Sequence, residues 1–100
     1  MQLKAFALRD QKAEVFGTPF FLKTHGEAER TFRELVANDQ TMPGKYPEDY
    51  DLYYLGEYND QKGLISPVDT PQHLIKGVSV KPFLKPYTAQ IDQTNLSTPS

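Results

Sequence analysis

Alternating apolar and polar residues open the chain and predict a first β-strand over residues 2–9. Its apolar residues fall on both sides of the strand, with Leu3, Ala5 and Ala7 on one side and Phe6 and Leu8 on the other. This pattern favours a central place in a sheet. A second extended segment, residues 13–22, contains a glycine and a proline. Because proline cannot donate a hydrogen bond to a neighbouring strand, we expect this segment at a sheet edge or around a bulge.

A helical period replaces the alternation after residue 24. Thr24 and Glu27 have the spacing of a capping box, in which the two side chains accept hydrogen bonds from the first amides of a helix. Apolar residues then recur at helical spacing, as Ala28, Phe32, Leu35 and Val36. The pattern predicts a helix over residues 25–37 that buries one face.

Tyrosines dominate the next predicted strand, residues 50–58. Five of them lie in the segment from residue 46 to residue 58. Within the strand, Tyr53 lies on one side, and Tyr50, Tyr54 and Tyr58 lie on the other. One helix is too narrow to cover both sides of such a sheet. We therefore expect one face of the sheet to meet a partner from outside the fold.

The second half of the chain has shorter predicted elements. Residues 59–63 predict a hairpin loop, and residues 64–66 predict the start of a short fourth strand, which Pro67 either ends or restricts to a sheet edge. The Thr70-Pro71 step predicts a short helix over residues 71–76, because threonine caps helices and proline fits their first turn. Proline, serine and threonine dominate the end of the chain. We expect one domain over residues 1–77 and a largely disordered tail over residues 78–100.

These elements predict a single α+β domain in the order ββαββ, with a small antiparallel sheet of about four strands and the main helix on one face. A chain of 100 residues has room for one modest core. Which side of the strands faces the helix stays open. The alanines of the first strand would let a helix approach closely, whereas Phe6 and Leu8 would fill more volume.

Charge is distributed unevenly along the chain, although the net charge is only −2. Residues 1–37 carry six Lys and Arg against five Asp and Glu, residues 38–70 carry two against seven, and residues 71–100 carry three against one. Phosphate contacts are therefore expected from the first third or from the tail, because the middle repels anions. The absence of cysteine excludes disulfides and thiolate chemistry.

Catalytic signals are weak. His25 and His73 are the two imidazoles of the chain, and no glycine-rich phosphate loop or metalloprotease signature accompanies them. Glu48, Asp49 and Asp51 have the oxygen ligands that Mg²⁺ or Ca²⁺ prefers, which leaves a metal-dependent nuclease as a hypothesis. A charged strand entry that discourages edge pairing is the favoured interpretation of these carboxylates. We expect a protein without catalysis, metal or cofactor.

Cations near displayed rings are typical of proteins that bind single strands, because bases stack on aromatic side chains. The candidate DNA contacts are Lys4, Arg9, Lys12, Lys23, Tyr53, Tyr54, Lys81 and Lys85. The last two begin a repeated basic–proline–aromatic step whose extended backbone would display them. Two alternatives remain open. The tyrosines could form core and dimer contacts instead, and the repeated step could be a linker that contacts its own domain.

Five segments resemble one known family in their order and spacing, and they are residues 6–10, 19–21, 26–32, 46–52 and 55–58. That family is the small nonstructural protein of gokushovirus-type microviruses, which are phages with circular single-stranded DNA. The resemblance covers about residues 3–76. It implies a DNA-binding protein of genome replication, or of the switch to single-strand synthesis and packaging. The resemblance implies no catalytic residue.

We therefore expect a homodimeric phage protein that binds single-stranded DNA in the cytoplasm of the bacterial host. The start of the chain lacks a signal-peptide pattern, and no apolar stretch approaches the ~20 residues that span a bilayer, so no membrane partner is expected. The alternative is an adaptor that binds a viral or host protein without contacting DNA. The acidic middle of the chain and the basic–proline–aromatic steps favour that alternative.

Overall fold

The computed structural model describes the backbone of residues 2–84 and the side chains of residues 2–80. Its elements are β1 (Gln2–Asp10), β2 (Val15–Phe16), β3 (Phe20–Leu22), α1 (His25–Ala37), α2 (Met42–Lys45), a 3₁₀ turn (Pro47–Asp49), β4 (Tyr50–Asn59), β5 (Leu64–Lys76) and α3 (Gly77–Leu84). The α+β class and the ββαββ order are confirmed, with the second extended segment divided between β2 and β3. Within the described residues, every helix falls short of the length or the hydropathy that a bilayer crossing requires.

All strands of the sheet pair in antiparallel fashion, and β1 lies inside it as predicted. One side of β1 pairs with β2 and β3, its other side pairs with β4, and β4 then pairs with β5. The segment between β2 and β3 contains Gly17 and Pro19 and leaves the ladder. The predicted edge position of the second segment is therefore confirmed.

Helix α1 has the predicted bounds because its start is encoded locally. The Thr24 hydroxyl accepts a hydrogen bond of 3.1 Å from the amide of Glu27. The Glu27 carboxylate accepts from the amide of Lys23 at 3.0 Å, one residue earlier than a capping box would have it. The first bond satisfies an amide of the first helical turn that lacks a partner within the helix, and the second satisfies the amide just before the N-cap.

The core lies between α1 and the side of the sheet that carries Phe6. Its buried members are Phe6, Ala28, Phe32, Val36, Leu52, Tyr54 and Val80. Leu8, on the same side of β1 as Phe6, packs against this cluster. The question that the sequence left open is thereby answered, because the larger side chains of β1 face the helix. The alanine side faces away from it.

The predicted helix over residues 71–76 is wrong. Of the two alternatives for Pro67, the structure has the edge strand and not the strand end. Strand β5 instead continues to Lys76, and α3 begins at Gly77. Strand β4 offers a long row of backbone partners, and an edge strand tolerates proline because its outer side needs no ladder bond. The register shifts between Tyr54 and Gly56 of β4, so that residues 68–71 leave the ladder.

Helix α3 begins next to the predicted end of the domain. Its Val80 is fully buried in the core described above, and its contacts are mainly with α1 and the 3₁₀ turn. Most of the predicted tail, residues 85–100, lies outside the described residues. The segment between α1 and β4 contains α2 and the 3₁₀ turn.

Candidate functional site

One face of the sheet, here called the open face, points away from α1. Strand register assigns to it the side chains of Leu3, Ala5, Ala7, Arg9, Phe16, Phe21, Asp51, Tyr53, Tyr58, Ile65, His73 and Lys76. Among the described elements, α1 and α3 both bury their core residues on the opposite face. Ala5 and Ala7 are nevertheless buried, with 5 % and 0 % of their surface exposed. The larger side chains on either side therefore shield Ala5 and Ala7 from solvent.

Three rings meet at one end of the open face. The centroid of Phe16 lies 5.2 Å from that of Tyr53, and Tyr53 lies 5.3 Å from His73, both in edge-to-face geometry. The guanidinium carbon of Arg9 lies 5.1 Å from the centre of the Phe16 ring. Such separations are favourable for aromatic pairs and for a cation over a ring. We call Arg9, Phe16, Tyr53 and His73 the ring cluster.

A buried carboxylate holds the imidazole of the ring cluster. Oδ2 of Asp51 lies 2.7 Å from Nε2 of His73, and Asp51 is 8 % exposed. Because a carboxylate accepts, Nε2 carries the proton in this hydrogen bond. The bond gives the buried carboxylate a partner and fixes the orientation of the His73 ring. Lys76 lies opposite Asp51 in the register and is exposed, so it adds a second cation beside the cluster.

The structure brings two of the sequence-predicted DNA contacts together, because Arg9 and Tyr53 both belong to the ring cluster. Lys4 lies on the other face, where it forms a 3.7 Å salt bridge with Glu57. Tyr54 also lies on that face and is 8 % exposed, with its ring 4.8 Å from that of His25. A ring covered in this way has no free surface on which a base could stack.

Neither Lys12 nor Lys23 belongs to the ring cluster. Lys12 is exposed in the turn after β1, and Lys23 is exposed between β3 and α1. Lys81 falls within α3, where the structure describes the backbone alone. Lys85 lies outside the described residues.

Sequence reasoning missed Phe16, His73 and Lys76 as site residues. Phe16 lies opposite Arg9 because the turn after β1 brings β2 back onto it. Asp10 shapes that turn, since its carboxylate accepts from the amides of residues 12 and 13. Asp10 is therefore a local sequence signal for the turn, and it could have predicted that Phe16 lies opposite Arg9. His73 and Lys76 had no such signal, because the sequence pattern assigned them to a helix.

The candidate metal carboxylates are divided between two surfaces. Asp51 lies on the open face with His73, whereas Glu48 and Asp49 border a cleft of about 620 Å³ on the other side of the domain. Met42 and Tyr46 also line this cleft and are exposed. Among the described residues, no group of three His, Cys, Asp or Glu side chains is arranged to hold a metal ion. We call the second surface the acidic cleft.

Tyr50 borders the acidic cleft and ionises abnormally. Its burial raises its pKa above the ordinary value of 10.0, and so do the hydrogen bond of 3.2 Å that it donates to Asp10 and the charges of Asp10 and Asp49. Because the folded state favours the protonated phenol, the stability that Tyr50 contributes is fully present below pH ~10. It is lost as the pH rises through the pKa of Tyr50 in the folded state.

We therefore expect Tyr50→Phe to remove the part of the tyrosinate absorbance that develops at the highest pH. Asp10→Asn should keep that part but shift it toward lower pH, because it removes a charge that opposes the phenolate. Absorbance titration of the folded protein measures both changes. An unchanged high-pH part in Tyr50→Phe would contradict the assignment.

Comparison with known proteins identifies the relatives of this fold. Residues 3–80 match the family described as Phage ORF5 protein. The chain is 32 % identical over 74 residues to Protein ORF5 of Chlamydia phage 1, a gokushovirus-type microvirus, and the match covers 69 % of this chain and 76 % of that protein. No solved structure matches the chain. The family match includes both faces of the sheet and α1. The chain therefore belongs to the phage ORF5 protein family, as its resemblance to the small microvirus proteins predicted.

Proposed function

We propose that this protein binds single-stranded DNA on the ring cluster, without catalysis, in the cytoplasm of the bacterial host. Its role would be in genome replication or in the switch to single-strand synthesis and packaging. One observation carries the proposal. Three rings and a guanidinium lie together on a sheet face that no described helix covers.

The chemistry of the ring cluster fits a single strand better than a duplex. Unpaired bases expose their faces and can stack on aromatic side chains, each stacked base contributing about 1–3 kcal/mol. In a duplex the bases are already stacked on one another. The cluster adds Arg9 and the neighbouring Lys76 as phosphate contacts. With so few cations, stacking must supply most of the affinity, and binding should be weak and tolerant of sequence.

We expect Tyr53→Ala to weaken binding of a fluorescent oligodeoxythymidine about 5- to 150-fold, the loss that corresponds to one stacked base. Fluorescence anisotropy at low salt measures the change, and circular dichroism checks that the fold is kept. Tyr46→Ala is the matched control, because that exposed ring lies at the acidic cleft. It should bind like the parent protein.

Salt dependence gives the same experiment a second readout. Two phosphate contacts on a single strand predict a slope of about −1.4 for the logarithm of the binding constant against that of the salt concentration. Arg9→Ala should reduce the slope to about −0.7, whereas Lys62→Ala, in the distant hairpin loop, should leave it unchanged. Absence of binding by micromolar protein at low salt would refute the DNA proposal.

The adaptor remains a second candidate function, and the acidic cleft favours it. Its lining carries three carboxylates, Asp10, Glu48 and Asp49, against the one cation Lys12. It also includes the exposed side chains of Met42 and Tyr46. Such a surface fits a peptide that combines a cation with an apolar or aromatic residue. A synthetic Lys-Pro-Tyr peptide whose binding is lost in Glu48→Lys would support this function. Loss of DNA binding in Glu48→Lys as well would show that the two activities share one surface.

A further inference from the structure

Two carboxylates of the acidic cleft are available to a cation. Among the described residues, the side chains of Glu48 and Asp49 have no hydrogen-bond or ion-pair partner. The third carboxylate, Asp10, already accepts hydrogen bonds from the Tyr50 hydroxyl and from two amides of the turn after β1. Three carboxylates against one lysine leave the described lining with a surplus of two negative charges. This surplus favours a cationic occupant.

A second cavity, of about 410 Å³, adjoins the acidic cleft. Asp10 and Tyr50 line both, so the hydrogen bond between them lies at the boundary. The second cavity has a mainly apolar lining, to which Leu8, Val15, Phe20, Leu35 and Pro43 contribute. An acidic cleft beside an apolar cavity fits a short segment that carries both a lysine and an aromatic ring.

The chain itself has this combination directly after α3. Lys85, Pro86 and Tyr87 follow Leu84, the last residue of that helix. The earlier basic–proline–aromatic step, residues 81–83, lies within α3. The second step is therefore the one that the helix leaves for the cleft.

The start of α3 lies at the rim of the acidic cleft. A Cβ added to Gly77 would collide with the carbonyl oxygen of Pro47 and would lie 2.8 Å from that of Tyr50, the two residues that flank Glu48 and Asp49. Because α3 has eight residues, its end lies about 10 Å from its start. Three extended residues also span about 10 Å, so the segment after α3 is long enough to return to the rim.

We propose that the segment Lys85-Pro86-Tyr87 binds the acidic cleft of its own chain. The ammonium group of Lys85 pairs with Glu48 and Asp49, and the ring of Tyr87 enters the adjoining apolar cavity. A tethered segment has an effective concentration in the mM range, so it outcompetes the same segment of another molecule at micromolar protein. The inference depends on neither proposed function. A viral or host protein that uses the cleft would have to displace the segment.

A spin label on the full chain tests this contact, because the absence of cysteine allows labelling at one introduced site. Thr88→Cys places a nitroxide one residue after the segment, and NMR measures the broadening of the amide resonances of Asp49 and Tyr50. Glu48→Lys should reduce this broadening at least ~3-fold, because it replaces an ion pair with a like-charge pair. Glu34→Lys is the matched control, since this exposed carboxylate of α1 lines neither cavity. It should leave the broadening unchanged.

Three results would overturn the contact. One is a parent chain without broadening at the cleft, and another is broadening that Glu48→Lys leaves unchanged. The third comes from a mixture of isotope-labelled chains without nitroxide and unlabelled chains that carry it. Broadening as strong in that mixture as within one chain would assign the segment to a second copy.

Salt and the aromatic ring give two further readouts. At 1 M salt the screening length is ~3 Å, so the broadening of the parent should fall, and an unchanged signal would contradict the ion pair even if Glu48→Lys does not fold. Tyr87→Ala should also reduce the broadening, whereas Gln90→Ala, three residues further along, should not. Equal effects of these two substitutions would contradict the role of the ring.

A synthetic Lys-Pro-Tyr peptide separates this contact from the adaptor function. It should bind Lys85→Ala at least ~10-fold more tightly than the parent protein, because the tethered segment no longer competes. Equal binding to both would overturn the contact and leave the adaptor function standing. If the peptide binds neither protein, the adaptor function is refuted, and broadening that depends on Glu48 still supports the contact.

Discussion

Phe6→Ala should destabilise the domain by about 3–5 kcal/mol, the range for removing a phenylalanine from a packed core. Phe6 is fully buried. Its ring lies 5.9 Å from Phe20, 5.5 Å from His25 and 5.6 Å from Tyr54, which belong to three different elements. The truncated side chain would leave a cavity that neither α1 nor the sheet can close without moving. Small domains are stable by about 5–15 kcal/mol, so much of the stability would be lost.

Urea denaturation followed by circular dichroism measures this loss. Phe16→Ala is the matched control, because it removes the same atoms from a ring that is 38 % exposed on the open face. Its expected cost is about 1 kcal/mol or less, since little cavity forms at the surface. Equal destabilisation by the two variants would contradict the assignment of the core to the α1 side of the sheet.

Gly56→Ala should also destabilise the domain strongly. Gly56 has a φ of 152°, which side chains rarely adopt, and it lies where the register of β4 shifts against both neighbouring strands. An added Cβ would collide with the carbonyl oxygen of Ser66 and would lie 2.7 Å from the Cα of Pro67. Backbone strain alone costs about 1–3 kcal/mol. The collision adds to that cost by pushing β5 away from β4.

Gly26→Ala is the matched control for this substitution and should have the opposite sign. Gly26 lies in the first turn of α1, and its added Cβ would find its nearest neighbour, the Thr24 hydroxyl, at 3.9 Å. Alanine in place of glycine in a helix stabilises by about 0.5–1 kcal/mol. Thermal unfolding of the two variants compares them directly. A Gly56→Ala protein as stable as the parent would show that the bulge is not required.

The helix α1 illustrates what local sequence can predict. Its cap, its apolar period and its end are all encoded within residues 24–38, so neighbouring residues determine its bounds. The hairpin between β4 and β5 is a second case. Gly63 takes a φ of 69°, and the side chain of Asn59 accepts from the amides of residues 61 and 62. Each of these predictions depended on residues a few positions apart.

The segment from residue 71 to residue 76 illustrates the opposite case. Threonine and proline gave it a local signal for a helix start, and pairing with β4 overrode that signal. The error also concealed His73 and Lys76 as site residues. His73 contacts Tyr53 and Asp51 only because β5 continues as a strand beside β4. The secondary-structure propensity of a segment does not show which distant segment it pairs with.

The sequence by itself determined the α+β class, the position of α1 and an excess of rings beyond what one helix could cover. Only the tertiary structure decided which rings are buried. It also corrected the predicted side of Tyr58, because the register shift between Tyr54 and Gly56 moves Tyr58 from the side of Tyr54 to the side of Tyr53. The physical reason is that strand residues alternate between two faces, so a side chain's surroundings depend on register and bulges. Those are set by contacts between segments far apart in the sequence.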